Sequence, residues 1–399
     1  MQKIHRFPTF IFLALLAFTI SAQTKKTSSS IDQNRLAQMQ ARMKSFVDKG
    51  RTAGIVTLVA HRGQVVNLNA VGHQELENKI PMKTDSIFQI ASMTKPITAV
   101  AVMMCEEDGL LTVLDPVEKY LPEFKNIKLK DSEKLTRSMT IRDLLTHTSG
   151  MGGGYPTATG DFINFYRKRD KSLADSVKLF AEMPLEVQPG TKWIYSNMGI
   201  ATAGRIVEVV TGKSFDQFLE ERLFRPLAMK DTHFYLPENK NSRVATIYQL
   251  TDSGLKKSEI EPTRKNAIYP APEAGLYSTA GDLYLFLQML LNGGNFNGEN
   301  FLSKHSVELL TSNHTGELKG AWSPGMGMGL GFQVVRNVEG MFRLQSIGTY
   351  THGGAWQTYY FVDPKKELIG LIMMQRQGGG GDTSDEFNAF LSMTCAAVN

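Results

Sequence analysis

Between Met93 and Asp108 the chain places Ile97, Ala99, Val100, Ala101, Val102, Met103 and Met104 in one helical stretch that stops at Gly109. A helix that is apolar on every side has no face to give to water, so it must lie in the middle of its protein. The chain has 399 residues, enough to surround such a helix with two lobes. The flanking patterns say what the surroundings are. Gly54 to Ala60 and Gln64 to Val71 are β-rich runs joined by His61-Arg62-Gly63, which predicts a hairpin. Strand patterns return after about Gly329, at Gly331 to Arg336, Phe342 to Ile347, Gln357 to Val362 and Leu368 to Met374, the last two joined by Asp363-Pro364-Lys365-Lys366.

The centre reads as helices: Ile141 to Leu145, Phe162 to Lys168, Leu173 to Ala181, Ile200 to Thr211, Phe215 to Leu223 and Gly281 to Asn292, with capping boxes expected at Asp115 to Glu118 and Ser214 to Gln217. Two more helices are expected near the ends, over Ile31 to Lys49 and from about Asp385 to Val398. Strands at both ends around a helical centre predict an α+β fold. The expected architecture is one antiparallel sheet flanked by helices, formed from about 31–110 and 329–399, with an all-α lobe inserted over about 111–328.

Ahead of this body, Lys3, His5 and Arg6 precede an apolar run from Phe7 to Ile20, followed by the small residues Ser21 and Ala22. That run is shorter than the roughly 17–25 residues of a membrane-spanning helix and fits a secretory signal peptide over 1–22, with cleavage expected after Ala22. Residues 23–30 (QTKKTSSS) read as a flexible linker, and 31–399 as the functional body. The expected location is therefore secreted or periplasmic, with no stable membrane insertion after cleavage. Losing Lys3 and Arg6 brings the net charge from +5 to +3, too weak a field to imply a nucleic-acid partner. The lysines at 125, 128, 130 and 134 with Arg137 are interrupted by Asp131 and Glu133 and read as a solvated face. Cys105 and Cys395 both lie in apolar helical patterns and are expected to be unpaired thiols.

Chemistry enters at three short motifs. Ser92-Met93-Thr94-Lys95 sits at the mouth of the apolar helix, where nothing about a core helix calls for a serine and a lysine. Residues three apart share a helix face, and a serine becomes a nucleophile when an adjacent base takes its proton. A lysine serves as that base when its surroundings favour the neutral amine. Ser253-Gly254-Leu255-Lys256 repeats the letters within a polar turn, without a helix to fix the spacing. Tyr195-Ser196-Asn197 precedes the Ile200 helix, its phenol suited to relaying a proton and its amide to holding a carbonyl. His352-Gly353-Gly354 begins a strand, where glycines let a ligand approach the backbone and the Ala355 N–H can serve as an oxyanion donor beside that of Ser92. His314-Thr315-Gly316 competes with it from a polar loop.

In this order the motifs resemble the signature of penicillin-recognising serine enzymes, S-x-x-K, then Y-x-N, then a variant of K-T-G. The chain is similar to the class C β-lactamase-like branch, from about Ile31 onward. The resemblance includes LLTHTSG (Leu144 to Gly150), PGTKWIYSN (Pro189 to Asn197) and EAGLYSTAGDLYLFLQMLLNGG (Glu273 to Gly294). It implies the same sheet-plus-helical-lobe fold and a hydrolase acting on an ester, amide or β-lactam bond through an acyl-enzyme, with a small-molecule or peptide substrate and no cofactor or metal. It implies Ser92 as nucleophile, Lys95 and Tyr195 as the proton-transfer pair with the first base left open, and Asn197, His352, Gly353, Gly354 and Ala355 as substrate-binding positions. His352 stands where many relatives have lysine, which weakens the case for β-lactams and leaves room for esters or peptides. The alternative is a penicillin- or cell-wall-peptide-binding sensor with little turnover. His147, at the end of a short helix in LLTHTSG, reads as a packing residue.

Overall fold

A computed structural model describes residues 31–131, 134–152, 169–261, 263–264, 266–318, 324–338, 343–378 and 384–398. The signal peptide, the linker and the helix expected at Phe162 to Lys168 lie outside the described residues. Helix α1 (Gln33–Asp48) starts at Asp32, whose carboxylate accepts the Asn34 and Arg35 N–H groups, and buries Leu36, Met39, Met43 and Phe46. The predicted hairpin forms as β1 (Gly54–His61) and β2 (Gln64–Glu75), continued by β3 (Ile80–Pro81). Strand β4 (Phe88–Gln89) leads into α2 (Thr94–Glu107), the apolar helix, which is buried from Thr94 through Cys105.

The inserted lobe contains α3 (Ile141–Leu145), α4 (Leu173–Ala181), α5 (Asn197–Thr211) and α6 (Phe215–Leu219), the last extended by a wider π turn over Glu220–Phe224. Helix α5 is its centre, packed against α2, α3, α4 and α6. A hairpin of β5 (Tyr248–Thr251) and β6 (Gly254–Lys257), the short β7 (Tyr277–Ser278), α7 (Ala280–Leu291), the hairpin of β8 (Asn295–Phe296) and β9 (Glu299–Asn300), and α8 (Lys304–Leu310) follow. Although α7 falls in the span expected for the helical lobe, it packs on the sheet against β1 and the strand at Leu368–Met373.

The remaining strands are β10 (Met326–Met328), β11 (Gln333–Val335), β12 (Tyr350–Gly354), β13 (Thr358–Asp363), β14 (Leu368–Met373) and β15 (Arg376–Gln377), before α9 (Asp385–Ala396). Eight strands pair antiparallel in the order β10-β11-β12-β13-β14-β1-β2-β3, so β1 is central and joins the early hairpin to the late strands. This is the expected α+β architecture. Side-chain alternation divides the sheet cleanly. Ile55 and Val59 of β1, Tyr359 and Phe361 of β13 and Leu368 and Ile372 of β14 face α1 and α9, while Val56, Leu58, Ala60, Tyr360, Val362, Ile369 and Leu371 join the larger core around α2. Burying each large aliphatic chain contributes about 1.5–3 kcal/mol, so covering both faces is what makes the sheet stable. Gly370 lies opposite Phe361, and a Cβ there would come within 2.3 Å of the phenyl ring.

Three local expectations fail for identifiable reasons. Asp115 does not cap a helix. Its carboxylate turns back to accept the Thr112 N–H (3.0 Å) and Lys119 Nζ (2.8 Å), and Val117–Lys119 forms only one 3₁₀ turn. Ser214 makes no side-chain cap bond; the first amide of the helix, Phe215 N–H, is instead held by Glu208 Oε1 at 3.1 Å. No strand forms over the described residues 343–347: the Asp363 carboxylate accepts the Ser346 N–H (2.9 Å), removing an amide that a ladder would need. Both cysteines are free and buried, and burial pushes their thiols up to about 12.

Candidate active site

The S-x-x-K segment is presented by a strained turn. Ala91 is buried with φ +45°, a left-handed conformation that a non-glycine residue holds only when its neighbours enforce it. They do so through hydrogen bonds. The Ile90 N–H donates to Leu276 O (3.0 Å), the Thr94 hydroxyl donates to Ala91 O (2.7 Å), and the Leu276 N–H donates to that same hydroxyl (3.2 Å). One 3₁₀ turn, Ala91–Met93, then carries half-buried Ser92 into α2.

Lys95 has no exposed surface, and its Nζ donates to Ser92 Oγ at 3.1 Å and to the Glu273 carbonyl at 2.8 Å. Burial lowers its pKa to about 7, opposed by the Glu273 carboxylate, which favours the charged amine. A neutral Lys95 keeps its bond to the Glu273 carbonyl and offers its lone pair to the Ser92 hydroxyl. The second S-x-x-K match is different in kind: Ser253 sits in the exposed β5–β6 turn against Thr251, and Lys256 is exposed.

Tyr195 is half-buried with the Lys95 amine 4.7 Å from its ring centroid. Asn197 belongs to the first turn of α5 rather than to the preceding loop, because Ser196 caps the helix by accepting the Gly199 N–H at 3.1 Å. The buried Asn197 Oδ1 has no hydrogen-bond partner among the described residues.

His352 lies on β12 and is 2% exposed, its Nδ1 donating to the Gly353 carbonyl at 2.8 Å. That bond puts the proton of the neutral ring on Nδ1 and leaves Nε2 a bare acceptor, buried and without a partner among the described residues. Burial, with the Lys95 amine second, pushes its pKa down to about 3, so the ring is neutral at physiological pH. Gly354 brings β12 against the Ala91–Met93 turn: a Cβ there would stand 2.4 Å from Ile90 O, and the Thr358 hydroxyl donates to that same carbonyl at 3.2 Å. Ala355 follows at an exposed turn. The competitor His314 is tied locally, its ring bonded to Leu309 O at 2.6 Å.

One residue of this neighbourhood escapes sequence reasoning, and a second, His147, is packed as expected but against a site tyrosine. Glu273 contributes through its backbone carbonyl, which side-chain chemistry cannot announce. His147 is fully buried with its imidazole 4.5 Å from the Tyr195 ring centroid, and burial first, then the Lys95 amine and His352, hold its pKa well below the ordinary histidine value. The only signal for either was membership in the LLTHTSG and EAGLYS segments.

The family model described as Beta-lactamase matches residues 39–392. Protein Rv1367c of Mycobacterium tuberculosis is 32% identical over 359 residues, covering 84% of this chain and 89% of its own length. Esterase EstB of Burkholderia gladioli is 29% identical over 383 residues, covering 88% of this chain and 94% of that protein. Among solved structures, EstCE1, described as a hydrolase with promiscuous acyltransferase activity, has the same fold with a TM-score of 0.79 at 24% identity, covering 92% of this chain and 99% of its own. With its sheet, inserted helical lobe and ordered motifs, the chain belongs to the beta-lactamase family of serine hydrolases, whose members include esterases and D-Ala-D-Ala carboxypeptidases.

Proposed function

We propose that the protein is an exported serine esterase that works through an acyl-enzyme at Ser92, its leader removed after Ala22. The observation that carries the reading is Lys95 Nζ at 3.1 Å from Ser92 Oγ, in surroundings that bring the amine to about pKa 7. Neutral Lys95 takes the Ser92 proton as Oγ bonds to the ester carbonyl carbon. The resulting oxyanion is held by the Ser92 and Ala355 N–H groups. When the tetrahedral adduct collapses, the carbon–oxygen bond to the alcohol breaks and the departing alkoxide takes the proton through Tyr195. A water molecule then repeats the sequence on the acyl-enzyme, losing its proton to the same pair and freeing the acid and Ser92. Asn197 holds the acyl carbonyl side of the substrate.

His352 argues for an ester without a nearby carboxylate. A lysine in its place would offer a fixed cation, whereas the neutral imidazole offers only an acceptor lone pair, which repels a carboxylate and welcomes a hydroxyl or amide N–H. EstB, an esterase by name, and EstCE1, a hydrolase, point the same way.

The test is to incubate the purified protein separately with p-nitrophenyl butyrate, a D-Ala-D-Ala peptide and a fluorescent penicillin. Ester turnover with a butyryl mass increment that disappears in Ser92→Ala is expected. Unchanged ester hydrolysis by Ser92→Ala overturns the mechanism. A lasting penicillin adduct without ester turnover supports a binding or sensing protein instead.

A further inference from the structure

We propose that His147 is a positioning residue that fixes the backbone and ring of Tyr195 for proton transfer; this rests on the reading of Tyr195 as a member of the proton-transfer pair. His147 is held at φ +59°, a left-handed conformation uncommon outside glycine. Its carbonyl accepts the Ile194 N–H at 2.8 Å and its Nδ1 accepts the Ser196 N–H at 3.1 Å. One residue thus grips the chain immediately before and after Tyr195, fixing the peptide planes on both sides.

The ring completes the hold. The imidazole and phenol centroids are 4.5 Å apart with a 39° tilt, and the Trp193 indole meets the imidazole edge-on at 6.0 Å. Tyr195 therefore lies against His147 at 4.5 Å and the Lys95 amine at 4.7 Å. A hydrogen-bond ladder already binds residues 148–150 to 186–190, since the Gly190 N–H donates to Thr148 O and the Glu186 N–H to Gly150 O. That ladder is enough to join the two segments, so the imidazole's bond and stacking are specific to the tyrosine. Because Nδ1 accepts an amide N–H, the neutral ring carries its proton on Nε2, which is buried and has no partner among the described residues. Protonation of Nδ1 would break the grip on Ser196, and the neighbouring Lys95 opposes it.

A small misplacement of a catalytic group costs up to about 10²-fold in rate. His147→Ala is expected to lower kcat for p-nitrophenyl butyrate by about that factor with KM little changed. His147→Asn is expected to recover most of the activity, because its Oδ1 can stand where Nδ1 stands and asparagine tolerates the left-handed backbone, whereas His147→Gln should not. Adding His147→Ala to Tyr195→Phe should cost nothing further, since His147 acts only through the phenol. Circular dichroism and melting curves select variants that fold, and His147→Asn keeps the test open if the alanine variant does not. Full activity in folded His147→Ala, equal loss in the alanine and asparagine variants, or additive losses in the double variant overturn the proposal. Full activity in Tyr195→Phe instead sinks the assignment of Tyr195 itself.

Discussion

Lys95 and Arg376 are both buried cations with no exposed surface, and the fold treats them in opposite ways. Arg376 forms a two-pronged ion pair with buried Glu386, at 2.9 and 3.1 Å, and also donates to the Arg51 carbonyl at 2.8 Å. Burial alone would raise the Glu386 carboxyl, but Arg376 and Arg51 together hold it below the usual carboxylate range. Lys95 donates to no carboxylate; a carbonyl and a hydroxyl are its hydrogen-bond partners, and its pKa falls toward neutrality. Where a charge is compensated, the site holds β15 to α9. Where it is not, the cation gives way toward a neutral amine beside Ser92.

The strongest way to break this comparison is Lys95→Met. Removing a positioned proton-transfer group is expected to lower kcat/KM by about 10²–10⁴-fold, with thermal stability equal or higher. A large loss of stability would mean that Lys95 is structural after all. Next in size, Glu386→Gln leaves Arg376 without its countercharge and is expected to cost about 3–5 kcal/mol in denaturant unfolding, while kcat per folded molecule stays at its wild-type value. Replacing both partners, as in Arg376→Met with Glu386→Leu, should restore most of that stability.

The pH dependence separates the two sites. Ester kcat/KM should rise about tenfold per pH unit up to about pH 7 as Lys95 loses its proton, and level off above it, as measured from pH 5 to 9. Because the folded pKa of Lys95 lies below its ordinary 10.5, the unfolded chain binds more protons between these values, so wild-type stability gains with pH across that window and Lys95→Met lacks the gain. The Glu386 carboxyl is depressed when folded, so its contribution is present above the ordinary carboxylate range and is lost as pH falls through the folded value. The smallest expected effect is that of a reducing agent, which should leave the melting temperature unchanged, since Cys105 and Cys395 are free thiols.

The elements readable in advance were those whose residues carry their own reason. The α2 stretch is apolar all round, β1 and β14 alternate between two cores, and Ser92 and Lys95 are polar where a core helix has no use for polarity. What stayed hidden depends on distant partners. Asp115 and Ser214 have the letters of helix caps, yet the Asp115 carboxylate is taken up by Thr112 and the Ser214 hydroxyl makes no cap bond. The position of Lys95 depends on a main-chain carbonyl about 180 residues away, and the buried pairing of Arg376 on a helix that its own strand says nothing about. His147 reads as packing because its neighbours are those of a helix end; its relation to Tyr195 exists only once residues 147 and 195 are folded together.

The pairing of β1 with β14 also sets an order of events. His61 lies beside Leu368, about 300 residues further along, so the central strand waits for most of the chain to be made before it has a neighbour on that side. Long-range strand pairing of this kind is slow to form. A ribosome that has already assembled Ser92 and Lys95 has not yet produced the strand that closes the sheet beside them, nor β12, which presses on the Ala91–Met93 turn. The surroundings of Ser92 and Lys95 therefore come together only after β12 and β14 have been made.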